Sequence, residues 1–246
     1  MTERRLLAIF AHPDDEAFAV GGTIAKYTQQ GVRVELICAT SGEAGRTEGL
    51  ASSPEELGKI RRDECRESCR ILGISDVHFL GYRDKELNQA DPNEVKGKIV
   101  PIIRSFKPDV IVTFGPEGGG NEHPDHKAIS ALAWESFKAL SDPNIFPDSE
   151  PHQVAKFYYV TAKVTPWREM TASFLPITAT IDIARFVETK LKAFSVQNSQ
   201  QSLLPKLKDW IEANENNEHF YLAYPEFSDR NRVEMDLFEG VTQDEA

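Results

Sequence analysis

The chain alternates short apolar runs with amphipathic stretches. "RLLAIFA" is continuously apolar and too short for a helix, so it predicts a buried strand. "EAFAVGGTIAKYTQQG" follows with helical spacing and stops at Gly31, a residue suited to the position just past a helix. "VRVELICAT" predicts a second strand. "SPEELGKIRRDECRESCRILG" opens on Ser53 before Pro54, an N-cap followed by a first-turn proline, and closes at Gly73. Its Leu57, Ile60, Ile71 and Leu72 form an apolar side. "DVHFLG" predicts a third strand, and "NEVKGKIVPIIRSFKP" a third helix with a kink expected at Pro101. "DVIVTFG" reads as a fourth strand. A helix then runs from "HPDH" through "KAISALAWESFKAL".

Strands and helices in alternation predict the α/β class. The expected architecture is a Rossmann-like three-layer fold, a mostly parallel sheet with helices on both faces. Such folds bind ligands beyond the C-terminal ends of their strands. The second half is less regular. Residues 141–152 form a turn-rich connector, and "VAKFYYVTAKV" predicts a strand. "TATIDIARFVETKLKAFSVQ" holds a strand start and a helix, and "LPKLKDWIEANEN" a further helix. "EHFYLAYPEF" is expected to end the ordered part. No repeat or long linker divides the chain. One domain is expected over 1–246, with a core at about 5–140, substrate-side elements at about 151–225, and a fraying acidic tail at 239–246.

Composition narrows the partners. Twenty-eight basic against 39 acidic residues give a net charge of −11, which disfavours nucleic acid and anionic membranes. No run approaches the ~18 apolar residues of a membrane span. "RRLLAIF" has the charged start of a signal peptide, but its apolar stretch is short and runs into charged sequence, so a cytoplasmic location is expected. Three cysteines, an odd number, argue against a disulfide framework. Cys65 and Cys69 could pair as a redox or metal site, but they read better as small apolar residues on a buried helix face.

Candidate chemistry sits in two short motifs. His12-Pro13-Asp14-Asp15 follows the first strand, and His123-Pro124-Asp125-His126 follows the fourth after a glycine-rich loop. Proline suits a first helical turn, and the residue before it is pushed into an extended conformation. His12 and His123 are therefore expected as cap-like residues, with Asp14 and Asp125 in the first turns. Residues three apart there share a side, so His12 converges with Asp15 and His123 with His126. Imidazole and carboxylate together suit Zn²⁺ or Fe²⁺ better than Mg²⁺. A catalytic zinc usually takes three protein ligands, so at least one of His12, Asp15, His123 and His126 is held back. The bland reading is a pair of helix starts. Two such copies at strand ends, one with an extra Asp-Glu and one with an extra His, fit caps poorly.

"AHPDDE" with "HPDH" 111 residues later resembles the PIG-L/LmbE-like family of zinc-dependent N-acetylglucosaminyl deacetylases. "TSGEAG" at 40–45 is similar to the family's Gly-Glu loop. Arg61 and Glu64 match its Arg-x-x-Glu helix, Asp84 its Arg-Asp loop, and Ser199-Gln200 the end of a C-terminal helix. The resemblance spans roughly residues 5–222. It implies a divalent metal, usually zinc, with Fe²⁺ or another transition ion as substitute, held by His12, Asp15 and His126. It implies Asp14 as general base. His123 would stabilise the oxyanion and protonate the leaving amine, and Asp125 would orient or tune His123. Arg61 and Asp84 would contact the sugar. Asn121 stands where mycothiol-type members carry a tyrosine, as a weaker substitute donor. Gln197 stands where many relatives carry a histidine. The implied function is removal of acetyl from an N-acetylated amino sugar or glycoconjugate, a small-molecule substrate. Alternatives are an amidase of the same chemistry on a thiol conjugate or other N-acyl amide, or a non-catalytic sugar-binding module. Asp14 argues against the module, since a binder needs no base. Family members form trimers or hexamers in several cases, which leaves a homo-oligomer open.

The remaining features carry weaker signals. Gly118-Gly119-Gly120 reads as a mobile loop before the second motif, since no P-loop Lys-Ser/Thr follows it. Gly21-Gly22 is expected to pack closely against a strand. His78, His152 and His219 read as structural residues. Arg61 has an alternative partner in Glu64 on its own helix. The aromatics of "FYY" and "FYLAYPEF" read as core. Glu16, Trp134, Trp167 and Trp210 receive no role.

Overall fold

The computed structural model describes residues 3–165, 174–226 and 232–242, the side chain of Asn121 excepted. β1 (Arg5–Phe10) leads to α1 (Asp15–Gln29), β2 (Arg33–Thr40), α2 (Pro54–Leu72), β3 (Asp76–Tyr82), α3 (Pro92–Phe106), β4 (Val110–Phe114) and α4 (Pro124–Ala139). β5 (Lys156–Thr161), β6 (Ala179–Asp182), α5 (Val187–Ser195), α6 (Leu204–Ala213) and β7 (Asn217–Tyr224) follow. The strands form one sheet in the order β3-β2-β1-β4-β5-β7-β6. The first five are mutually parallel, and β7 runs antiparallel between β5 and β6. The expected α/β sheet is therefore present. The "EHFYLAY" part of "EHFYLAYPEF" lies in the seventh strand, wedged into the sheet next to its edge.

Local chemistry sets the helix ends. The Ser53 hydroxyl accepts the Glu56 N–H, Pro54 opens α2, and Gly73 ends it at φ 80°. Asp91 caps α3 in the same way. α3 continues past Pro101 as one helix, where a kink was expected. α1 departs from helical geometry at Val20, and the N–H groups of Gly22 and Thr23 are taken by the buried Glu218 carboxylate. Lys190 of α5 neutralises that carboxylate at 2.5 Å. A Cβ on Gly22 would lie 2.5 Å from Ile183, and one on Gly21 3.2 Å from Lys190. The glycine pair thus packs against β7 through Glu218, as expected, and also against Ile183 and α5.

α1, α2 and α5 pack together, while α3 packs on α4. Right-handed crossovers between parallel strands place these two groups on opposite faces of the sheet. The core is the near-continuous apolar set of β1, β2, β4 and β5 with the helix faces against it. Cys65 and Cys69 are buried in it as free thiols, and Cys38 is likewise buried. The chain does not stop packing at β7. Glu234 bridges to Ala179, and Leu237 and Phe238 are buried beneath α1, where Tyr27 hydrogen-bonds Asp236 and Leu237. Of the tail expected to fray, residues 243–246 lie outside the described residues. No helix among the described residues is long and apolar enough to cross a membrane.

β1 and β4 lie side by side, yet the chain leaves β1 toward β2 and β4 toward β5. That reversal opens a crevice at their C-terminal ends. Both histidine motifs emerge there.

Candidate active site

The two motifs converge on one cleft of about 660 Å³, whose lining includes His12, Asp14, Asp15, His123 and His126. The second motif folds as expected. His123 is the N-cap of α4, with Pro124 at the first helical position and Asp125 in the first turn. Its Nδ1 accepts the Asp125 N–H at 3.2 Å, so Nε2 is the nitrogen that carries hydrogen in the neutral ring. The first motif differs. α1 begins at Asp15, so Asp14 takes the cap position that His12 was expected to hold. Asp14 has φ 112°, a left-handed conformation costly for any residue but glycine. This turn brings Asp15 back beneath His12, where its carboxylate accepts the His12 N–H at 2.8 Å.

His12, Asp15 and His126 present their donor atoms to one another. His12 Nδ1 lies 3.1 Å from His126 Nε2, and Asp15 oxygens lie 3.5 and 3.3 Å from those two nitrogens. The opposite nitrogens are already committed to acceptors. His126 Nδ1 faces Gly118 O at 3.1 Å, and His12 Nε2 faces Asp84 and Asp125 at 3.1 and 3.2 Å. These partners assign the ring hydrogens outward and leave two lone pairs and a carboxylate pointing inward. Such a set repels itself unless a cation sits among it. Outward hydrogen bonds of this kind are what metal-bound histidines use to fix tautomer and orientation. The residues therefore fit a divalent transition ion with an N₂O donor set. Two overlapping groups, His12 with His123 and His126 and His12 with Asp84 and Asp125, have ligand atoms within 4.8 Å of one another.

The charges agree with that demand. Burial alone would lower the His12 imidazole, but Asp125, Asp15 and Asp84 override it and raise it well above the ordinary value. Burial opposes ionisation of Asp15, yet His126 and His12 hold it well below the carboxylate range. Both shifts report a spot that calls for positive charge. Asp14 behaves oppositely. Burial, with the charges of Asp15 and Glu16, pushes it up to about 7 against the pull of Arg61 and His12. His123 is lowered, first by burial and then by His12 and His126.

Surrounding residues seat these groups. Phe114 stacks on His126 with ring centroids 4.2 Å apart. The Asp125 carboxylate accepts the Lys85 and Leu87 N–H groups at 2.6 and 3.1 Å as well as facing His12. It was expected to orient or tune His123; toward His123 it supplies its backbone N–H and a charge that raises the ring. Arg61 is buried, and its guanidinium donates to Pro13 O at 2.6 Å, Gly42 O at 2.7 Å and Asp14 at 3.2 Å. The Arg61–Glu64 alternative gives way to these bonds, since Glu64 accepts the backbone and hydroxyl of Ser199. Asp84 accepts the Ala44 N–H and, with Arg61, still lines the cleft. The Asn121 side chain lies outside the described residues. His78, His152 and His219 bond to Glu35, Pro108 O and Thr180 away from this cleft.

Residues 7–137 match the PIG-L family, described as GlcNAc-PI de-N-acetylase. The chain belongs to the PIG-L family. It is 30% identical to 1D-myo-inositol 2-acetamido-2-deoxy-alpha-D-glucopyranoside deacetylase of Rhodococcus opacus, over 98% of this chain and 99% of that protein. It is 44% identical to the probable N-acetyl-alpha-D-glucosaminyl L-malate deacetylase 2 of Bacillus cereus, over 52% of this chain and 58% of that protein. Among solved structures, the N,N'-diacetylchitobiose deacetylase of Pyrococcus horikoshii superposes with a TM-score of 0.75 at 29% identity, covering 89% of this chain and 83% of that one.

Some parts of this PIG-L site carry little sequence signal. Phe18, Val160, Leu203 and Trp210 form an apolar side of the cleft, and Gln200, Lys85 and Lys206 also line it. Trp210 had no role in the sequence, yet it sits against Phe18 with ring centroids 6.3 Å apart. Glu16 and Gln197 meet each other, with Gln197 Nε2 donating to Glu16 Oε1 at 3.0 Å. The available signal was helical spacing. Arg61, Glu64 and Ser68 fall on one face of α2 and hold Asp14, Ser199 and Glu16 respectively.

Proposed function

We propose that this chain is a metal-dependent hydrolase that removes the acetyl group from an N-acetylated amino sugar or glycoconjugate. The observation that carries the reading is the pair of groups flanking the ligand set. A buried carboxyl, Asp14, seated by Arg61, and a histidine with an assigned N–H line the same cleft as His12, Asp15 and His126. The N-acetyl or acetamido sugars in the names of the three relatives support the substrate class. The N₂O donor set supports Zn²⁺, with Fe²⁺ as substitute.

His12, Asp15 and His126 would hold the ion, which would supply Lewis acidity, lowering the pKa of a water toward ~7 and polarising the acetyl carbonyl. Asp14 takes the proton of the attacking water. Asp14, seated by Arg61, holds that proton and returns it to the departing amine, a step the family resemblance gave to His123. His123, kept neutral at pH 7 by its lowered pKa, donates Nε2–H to the oxygen of the tetrahedral adduct. Arg61 fixes the Asp14 carboxylate and the Pro13 carbonyl before it. Acetate and a free amino sugar leave. The apolar side of the cleft takes the rest of the substrate.

Acetate release from a panel of N-acetylglucosamine derivatives, with and without chelator, tests the reading. Release should require metal, and Asp14→Asn should lower the rate by about 10²–10⁴-fold. Metal-loaded protein that binds these sugars, releases no acetate and is indifferent to Asp14→Asn would refute it.

A further inference from the structure

We infer that Glu16 is a positioning residue, clamping Asp14 in the strained backbone conformation from which it acts. The inference rests on the role given to Asp14 above. An L-residue at φ 112° persists only where its surroundings over-determine it. Arg61 holds the side chain of Asp14 and the carbonyl before it. The carbonyl of Asp14 itself accepts the Phe18 N–H at 2.9 Å as α1 begins. The remaining handle is the Asp14 N–H, and Glu16 Oε2 accepts it at 3.0 Å.

Glu16 is fully buried and cannot serve as a solvent-facing cap. Its second oxygen accepts the Ser68 hydroxyl at 2.7 Å and the Gln197 amide at 3.0 Å. Both oxygens are thus taken by donors that do not belong to the proposed ligand set. The donors come from α2 and from the segment after α5. That segment is docked by Ser199 on Glu64, one turn before Ser68 on the same face of α2. The local arrangement resembles a capping box, in which a first-turn carboxylate reaches back to the cap N–H. Here the cap residue is the proposed base, so the same bond sets where its carboxylate stands. Asp15 has an independent anchor in the His12 N–H, so the ligand set should survive loss of the clamp.

The test compares Glu16→Ala with Glu16→Gln in the metal-loaded full chain. The glutamine oxygen can still accept the Asp14 N–H. Its nitrogen can donate to Ser68 and, once the Gln197 amide turns over, to the now unpartnered Gln197 Oε1. Glu16→Ala should lower kcat for acetate release by about 10²-fold, the cost typical of an ångström-scale misplacement, with KM and bound metal unchanged. Glu16→Gln should restore most of kcat. Hydrogen exchange of the Asp14 amide should quicken in Glu16→Ala and stay slow in Glu16→Gln. Wild-type kcat in Glu16→Ala overturns the inference. Equal loss in both variants overturns it, and so does metal lost in step with kcat, which would put the effect on Asp15. If the wild type releases no acetate from any substrate, the deacetylase reading has failed, and the amide exchange alone decides the clamp: unchanged exchange in Glu16→Ala overturns it. If Glu16→Ala does not fold, the Ser68→Ala/Gln197→Ala pair strips both donors and leaves the carboxylate. A fall in kcat at constant KM supports the clamp, and an unchanged kcat overturns it.

Discussion

Replacing Gly42 by alanine probes how tightly Arg61 is seated behind Asp14. Gly42 has φ 63°, and an added Cβ would lie 2.1 Å from Arg61 Nη1 and 2.3 Å from Cζ. The guanidinium cannot give way without losing its bonds to Gly42 O, Pro13 O and Asp14. Gly31 is the matched control. Its φ is 83°, and nothing lies within 4 Å of its Cβ position. Gly31→Ala therefore meets only the backbone term, roughly 1–2 kcal/mol, or about 2–8 °C in Tm for a chain of this size. Gly42→Ala adds the cost of breaking a buried charge pair, roughly 3–5 kcal/mol, for a total fall of about 8–28 °C. Thermal unfolding of the two variants side by side reads the difference. Acetate release should fall steeply in Gly42→Ala and hold in Gly31→Ala. Equal Tm shifts, or a Gly42→Ala enzyme of wild-type rate, would refute the tight seat assigned to Arg61.

Other outcomes follow from the same geometry. His126→Ala removes one donor of the proposed set, so metal analysis after gel filtration should find well under one ion per chain, with acetate release lost. Trp210→Ala removes apolar surface from the cleft lining, so KM should rise about 5–30-fold, roughly 1–2 kcal/mol of lost contact, while kcat changes little. Glu234→Ala strands the buried Lys156 ammonium and the Tyr158 hydroxyl, both of which bond to that carboxylate. It should cost about 3–5 kcal/mol, seen as a lowered Tm, with kcat at 25 °C unchanged because the pair lies at the start of β5 and outside the cleft.

The sheet was legible because its signals are local. The apolar runs of β1, β2 and β4 and the capping residues Ser53, Pro54 and Gly73 act within a turn or two of where they stand. The two histidine motifs were legible for the same reason, since each packs several donor atoms into four residues. What the sequence hid depends on contacts between distant segments. The break in α1 comes from Glu218 entering at Gly22 and Thr23, 196 and 195 residues away in the chain. Within residues 16–31 the Gly21-Gly22 pair marks a close approach, but nothing there names Glu218 as the group that enters. Gln197 looked like a departure from a family histidine, and only the fold shows its amide on Glu16, 181 residues earlier. α2 lies between these cases. Its spacing of Arg61, Glu64 and Ser68 marks a polar stripe on a buried face, and polar groups buried in a core must find partners. The stripe could be read from the sequence as a demand, but its three partners became identifiable only when the crevice between β1 and β4 brought Asp14, Glu16 and Ser199 to it.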